Sequence, residues 1–454
     1  MPTTSFPVPP SRVDALLRPR SVAVAGAEWR HGCAAYETVR GLLGYGFRGA
    51  LSVLSPAGTP VCGLPAYARI ENLPHSPDLL VTAAPPERLA AEVAAAAAAG
   101  ARAMVALRTP PGGRRRPAVP ARPDAGVVAR ERGVLLVGPD SLGVLNTDPR
   151  VRLDAGLCPV RPPAGGLAVL VRSGAVGVAL LDAAAHAGCG VSGYVSLGDG
   201  CGATAEELLA YWRQDPRTRA VAVHLDSYDG DDGPAAAAVR ALARRKPVLT
   251  IGSALPAGDG ADEPPGIVRT ESPSELVDVA RTVAGRPAPA GDRLVIAGNA
   301  GGLTALAAGT AAAHGFRIVP LGAATRAELP SVNGPLGRDN PVDVGLAATA
   351  TLIAEAAETV AAGGEADALL LLLVGTRINA ATGIVSACAR VIGDYPRLPV
   401  AVVLAGGTDD RRTLGEPAAP VFRHPERAIR ALAYARRYAG ARRRRAVPQR
   451  TAVG

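Results

Sequence analysis

Short apolar runs that stop at a glycine or a turn alternate along the chain with alanine-rich stretches of helical character. A strand, a helix and a second apolar strand bury both faces of the strands only as a parallel sheet covered by its crossover helices. The opening example is Ser21-Val22-Ala23-Val24-Ala25-Gly26, then a helix-like stretch, then Ala50-Leu51-Ser52-Val53-Leu54. Further strands are expected at 78–82, 103–107 and 134–137, with a crossover helix from Leu89 to Ala99. Ala, Val and Leu must fill the core, because 48% of residues are hydrophobic and only 3% aromatic. That favours tightly packed parallel sheets over a sandwich.

At 454 residues the chain exceeds one core and fits three α/β units. Two Pro/Gly-rich stretches, 161–166 and 285–291, read as the linkers between them. The expected organisation is a Rossmann-like domain over 12–150, flavodoxin-like domains over 164–286 and 291–438, and a basic tail over 439–454. The second domain is expected to hold strands at 167–171, 193–197, 220–225 and 247–251, with helices at 205–214 and 234–244. The third is expected to hold strands at 293–297, 317–320, 368–374 and 400–404, and a last helix from Pro425 to about Arg437.

The net charge of +9 comes almost wholly from arginine, Lys246 being the only lysine, and no basic stripe is interleaved with aromatics. No nucleic acid is expected as a partner. Two arginine runs, Arg114 to Arg116 and Arg442 to Arg445, read as a solvated loop and a tail. The six cysteines form no CxxC pair and no ligand-spaced set with histidine, so neither a metal site nor a disulfide framework is expected. The N-terminal stretch has no apolar signal region and the longest apolar run, Ala368 to Val374, is too short to span a bilayer. A cytoplasmic protein with no membrane partner is the expectation.

Three strand-to-helix turns carry glycine where backbone must approach a ligand closely: Gly26, Arg172-Ser173-Gly174-Ala175-Val176-Gly177, and Gly298-Asn299-Ala300-Gly301-Gly302. Each aims backbone N–H groups from a helix start, which suits an anion, although glycine serves plain tight turns equally well. Their order along the chain is distinctive. Together with Leu17-Arg18-Pro19-Arg20, Gly63-Leu64-Pro65-Ala66-Tyr67, Pro77-Asp78-Leu79-Leu80, Gly138-Pro139-Asp140-Ser141-Leu142-Gly143, Asp215-Pro216-Arg217-Thr218 and Asn340-Pro341-Val342-Asp343, they form a series.

That series resembles the acetate–CoA ligase (ADP-forming) or NDP-forming acyl-CoA synthetase family, of α type, and more remotely the succinyl-CoA synthetase α subunit. The resemblance implies CoA or acyl-CoA as the bound cofactor, held near Gly26, Ala27, Ser55, Pro56, Ala84, Pro85 and Pro139. It implies phosphate contacts at Ser173, Gly174 and Ala175 and at Asn299, Gly301 and Gly302. It also implies a separate ATP-grasp β-type subunit, since the chain matches the α-type half; the assembly state is left open, a homo-oligomer included.

Two departures from the family pattern matter. The opening loop Glu28-Trp29-Arg30-His31-Gly32 lacks a Ser-x-x-Pro-Gly-Lys character and no lysine follows Pro56, leaving Arg30, Arg48 or Arg69 to meet a CoA phosphate or to serve as plain surface arginines. Where the family carries a Ser-His-Thr-Gly loop with a phosphorylated histidine, this chain has Ser253 to Gly266 with Asp259, Asp262 and Glu263 but no histidine. His224, beside Asp226, is the nearest histidine and reads more readily as a structural strand residue. No catalytic residue is therefore assigned.

The reading preferred is a CoA- or acyl-CoA-binding homologue without the relay, because losing a covalent nucleophile abolishes turnover. An active acid–thiol ligase subunit paired with an ATP-grasp chain is the alternative. A nicotinamide-dinucleotide enzyme is disfavoured, since Gly26-Ala27-Glu28 starts no GxGxxG series and Ser55-Pro56 stands where a ribose-binding acid belongs.

Overall fold

The computed structural model describes residues 11–108, 124–200, 205–225, 233–252, 265–330, 337–377, 379–406 and 412–446. They divide into two units: the first runs to Ala185 and takes in Gly190–Leu242, and the second comprises His186–Cys189, Ala243–Gly252 and the described residues beyond.

In the first unit, α1 (Arg12–Leu17) starts on a capping box, Ser11 accepting from the Asp14 amide and Asp14 reaching back to Ser11. Then follow β1 (Ser21–Ala25), α2 (Ala34–Tyr45), β2 (Ala50–Leu54), β3 (Ala66–Tyr67), β4 (Leu79–Thr82), α3 (Pro86–Ala98), β5 (Ala103–Leu107), α4 (Ala125–Arg132) and β6 (Leu135–Ser141). These strands form one parallel sheet in the order β3-β2-β1-β4-β5-β6. One of its faces packs Ala23, Leu80, Met104 and Leu136 against Leu89, Val93 and Ala96 of α3 and Ala129 of α4. Strand order reverses beside β1, which opens a crevice between the carboxyl ends of β1 and β4.

After β6 the chain leaves that sheet. The hairpin β7 (Gly143–Asn146) and β8 (Leu153–Gly156) is followed by β9 (Ala164–Val171), α5 (Gly174–Ala187), β10 (Val191–Ser196), α6 (Ala205–Gln214), β11 (Ala220–His224) and α7 (Pro234–Ala243). Strands β11, β9 and β10 are parallel neighbours, and β7 pairs antiparallel with β10 and with β8. The hairpin was not anticipated, because its Asn, Asp and Gly residues resemble loop composition. Strand β9 begins at Ala164, inside the expected linker, with Gly165 packed directly on Gly190.

The second unit opens with the parallel pair β12 (Val248–Ile251) and β13 (Ile267–Thr270), then α8 (Pro273–Gly285). Its other elements are β14 (Leu294–Gly298), α9 (Gly301–Ala313), α10 (Ala323–Glu328), β15 (Val342–Asp343), α11 (Ala350–Ala362), β16 (Ala368–Val374), α12 (Ala381–Asp394), β17 (Val400–Ala405), β18 (Thr413–Leu414), β19 (Ala419–Phe422) and α13 (Pro425–Ala446). They build a sheet ordered β15-β14-β16-β17-β19-β18. The unbroken apolar run of β16 is explained by burial on both faces: Leu369, Leu371 and Leu373 pack towards α11 and α12, Leu370 and Leu372 towards α9 and α13.

Two expectations change. Residues 317–320 form no strand, only an isolated bridge from Arg317 to Arg293. The last helix does not end near Arg437 but continues to Ala446, because alanine and arginine, both strong helix formers, fill its extra turns.

Candidate CoA-binding site

Five of the seven residues expected at the cofactor line one cavity of about 260 Å³ in the first unit: Gly26, Ala27, Pro56, Ala84 and Pro85. They stand at the carboxyl ends of β1, β2 and β4, at the crevice where strand order reverses. Glycine is required at 26, since a Cβ there would lie 2.5 Å from that of Ala35. Thr82 organises the turn into α3 by donating to Glu92 at 2.6 Å and accepting from the Ala84 amide at 3.1 Å. Ser55 and Pro139 do not line the cavity. Ser55 is buried with its amide on the Tyr67 carbonyl, and Pro139 accepts from the Asp199 amide beyond β10.

The walls are mostly alanine, proline and aliphatic carbon, with Arg69, Glu71, Arg88 and Glu92 supplying charge. Of the three arginines weighed as phosphate partners only Arg69 is here. Arg30 is spent on Glu28 at 2.9 Å, and Arg48 is not among the lining residues. Arg88, on the first turns of α3, was missed by sequence reasoning; the signal lay in its position just after Ala84-Pro85-Pro86, at a helix start where an arginine opposes the helix dipole. The start of α3 offers few backbone donors, because Pro86 has no N–H and the Arg88 amide is bonded to the Pro85 carbonyl at 3.0 Å. Arg69 and Arg88 must therefore supply most of any attraction for phosphate.

The opening loop is organised by an acid. Glu37 accepts from the Gly32 amide at 3.0 Å and pairs with Arg40 at 3.0 Å, and the Gly32 bond holds its carboxyl below the ordinary value. With Glu28 also in this loop, the start of α2 is a poor place for a phosphate.

The two other glycine turns are tightly packed. Beside Gly174 there is no room for a Cβ, which would meet the Leu142 side chain at 2.6 Å. At the start of α9, a Cβ on Gly301 would lie 2.4 Å from a carboxylate oxygen of Asp343, so this chain already sets a negative group at that helix end. The Asn299 residue is wholly buried, and its side-chain amide donates to the Val374 carbonyl at 2.9 Å and accepts from the Val374 amide at 2.8 Å, which turns it towards β16. Segment 253–264 and Asp226 lie outside the described residues. His224 ends β11, where its carbonyl accepts from the Arg172 amide at 2.9 Å.

Known proteins align with this geometry. Residues 20–147 match the CoA binding domain and residues 164–263 the succinyl-CoA ligase like flavodoxin domain. The acetate–CoA ligase [ADP-forming] I α subunit of Pyrococcus furiosus is 24% identical over 451 residues, covering 92% of this chain and 96% of the relative. The acetate–CoA ligase [ADP-forming] I of Archaeoglobus fulgidus is also 24% identical, over 450 residues, but this chain spans only 64% of it. The dinucleotide-forming acetyl-coenzyme A synthetase 1 of Ca. Korarchaeum cryptofilum has the same fold, with a TM-score of 0.80 at 22% identity over 95% of this chain and 97% of that one. The domain matches and the fold thus describe a CoA-binding α/β protein similar to the acyl-CoA synthetases. Along its length the chain is similar to the NDP-forming acyl-CoA synthetases, on their α-subunit side. Among the described residues no helix is long and apolar enough to cross a membrane.

Proposed function

We propose that this chain binds CoA or an acyl-CoA as the α-type component of an acyl-CoA synthetase system, and that it works without a phosphohistidine relay. The observation that carries the reading is the convergence of Gly26, Ala27, Pro56, Ala84 and Pro85 on one apolar cavity at the switch point of the first sheet. The glycine turn brings backbone against the ligand, the alanines and prolines cover its uncharged part, and Arg69 and Arg88 face its phosphates. CoA itself would supply the thiol. Ser55 and Pro139 act at one remove, fixing the strand ends.

No histidine occurs between His224 and His314, so the stretch that follows β12 offers only hydroxyls and carboxylates as nucleophiles. A phosphoryl relay needs a group that attacks at neutral pH and leaves easily, and imidazole does both. Chemistry on this chain therefore rests on a partner; a separate ATP-grasp subunit fits the match to an α subunit over 96% of its length. The cytoplasm, with its reduced thiols, suits the free cysteines Cys33, Cys62, Cys158, Cys189 and Cys388.

Calorimetry of the whole chain with CoA and acetyl-CoA tests the reading. Binding of CoA in the first unit by the wild type and loss of that site in Gly26→Trp are expected, and silence with every CoA species at millimolar concentration sinks the reading. Thioester formation from acetate, ATP and CoA on adding an ATP-grasp subunit would restore the active-synthetase alternative.

A further inference from the structure

Helix α13 carries eight arginines and a single acid, Glu426. The first two arginines have carboxylates waiting on α8: Arg427 lies 2.7 Å from Asp278 and Arg430 3.7 Å from Glu275. Further along, among the described residues no carboxylate lies within ion-pair distance of Arg436, Arg437 or Arg443, although Arg436 stands near enough to Asp292 to help hold its carboxyl below the ordinary value. Arg436 lies over the Phe316 ring and reaches the His314 carbonyl, Arg437 lies over the Tyr434 ring, and Arg443 bonds the Ala290 carbonyl.

All three line a single cavity of about 780 Å³ within the second unit, between α13 and the wall made by β13 and Ala290-Gly291-Asp292. Gly291, Gly440 and Ala441 are among its lining residues. Its lining includes one more arginine, Arg269, and two acids, Glu271 and Asp292. Asp292 is already neutralised by Arg317, 3.0 Å away, so the balance inside is clearly positive. Surface arginines on a helix ordinarily find acids three or four residues away, as Arg40 finds Glu37 in this chain. Here the like charges are left facing one space, where they repel until an anion enters.

We propose that this cavity binds a small molecule bearing a di- or triphosphate group, with Arg437 and Arg443 as its main ligands and Arg436 behind them. Planar guanidinium forks grip phosphate oxygens in pairs, and several around one anion select for multiple charges. The volume is that of a site for an organic ligand and exceeds what one inorganic phosphate fills. The inference does not depend on the CoA reading, which concerns the first unit.

The test titrates the whole chain with ATP, pyrophosphate and adenosine. ATP and pyrophosphate should each saturate one site and adenosine should give no signal. Arg437 and Arg443 are exposed, so Arg437→Gln/Arg443→Gln and Arg443→Gln alone should fold normally and weaken binding by about tenfold or more and by about threefold. Gly26→Trp should leave it unchanged. Silence with both anions at millimolar concentration, unchanged affinity in the double variant, or loss of binding in Gly26→Trp alone would each overturn the proposal.

Discussion

Arg217 Nη1 lies 3.6 Å from Asp148 Oδ2, so the turn before β11 is locked onto the loop that follows β7. Arg18 and Arg150 close on the same carboxylate at 3.1 and 3.0 Å, and the Asp148 side chain is only 2% exposed. The Arg150 bonds, followed by the other arginine charges, hold the Asp148 carboxyl down at about 2 against an ordinary 3.8. A buried carboxylate shared by three arginines is a clamp, and removing it takes the common partner from Arg18, Arg150 and Arg217 and leaves a hole where the carboxylate was packed.

Asp148→Ala should therefore destabilise the chain by about 3 kcal/mol, read from the urea midpoint at pH 7. The folded-state value is depressed, so the contribution of Asp148 is complete above about 3.8, its ordinary value, and is lost as pH falls through about 2. The gap between wild type and variant should shrink across that window. A gap that stays constant from pH 5 to pH 2 would show that the aspartate acts through packing rather than charge.

Arg286 is expected to matter as much, although it sits in what the sequence presents as a linker. Its side chain donates to the carbonyls of Ile392 at 3.2 Å, Leu398 at 3.0 Å and Pro417 at 2.7 Å, and also to Tyr395. It thereby caps the carboxyl end of α12, where orphan carbonyls and the helix dipole both favour a cation. Arg286→Ala should cost about 3 kcal/mol by leaving those carbonyls unpaired. Arg286→Lys, a point charge without the fork, should recover less than half of that in thermal unfolding; full recovery would refute the capping account.

These two residues mark the limit of what the sequence makes legible. Apolar periodicity revealed β1, β5 and β16 almost to the residue, because strands buried on both faces must be apolar throughout, and it revealed β2 from the same kind of apolar run although that strand is only partly buried. The β7–β8 hairpin and the two-residue strands β3, β15 and β18 stayed hidden, since pairing with distant partners and not local composition makes them strands. Family landmarks placed five residues on the cofactor cavity, yet Leu17-Arg18-Pro19-Arg20 and Asp215-Pro216-Arg217-Thr218 contribute arginines to the Asp148 clamp. A recurring motif records a constraint without saying whether it is chemical or architectural. Arg88 escaped because its role depends on which helix turn meets the crevice.

Thiol chemistry should separate the cysteines cleanly. Burial pushes Cys189 and Cys388 up to about 12, leaving almost no thiolate at pH 8, whereas Cys62 is exposed. A maleimide reagent followed by peptide mapping should label Cys62 within minutes and Cys189 and Cys388 only after denaturation. Rapid labelling of Cys388 in the native chain would mean that the core between β16 and α12 opens readily.

The last expectation concerns how the CoA cavity supplies charge. Arg88 is 63% exposed on its side chain and lies 3.7 Å from Glu92, which is itself held by Thr82 at 2.6 Å. Glu92 therefore keeps Arg88 at the rim of the cavity but competes with a ligand phosphate for it. Arg88→Gln should weaken CoA binding by about threefold to tenfold, the scale of one partly screened charge-assisted hydrogen bond, and should flatten its dependence on salt. Glu92→Gln keeps an acceptor for the Thr82 hydroxyl while removing the competing charge, so it should strengthen binding by a smaller factor. Dissociation constants at low and high salt for the two variants decide the matter. If both variants weaken CoA equally, the Arg88–Glu92 pair is a structural brace of α3, and Arg69 alone faces the phosphates.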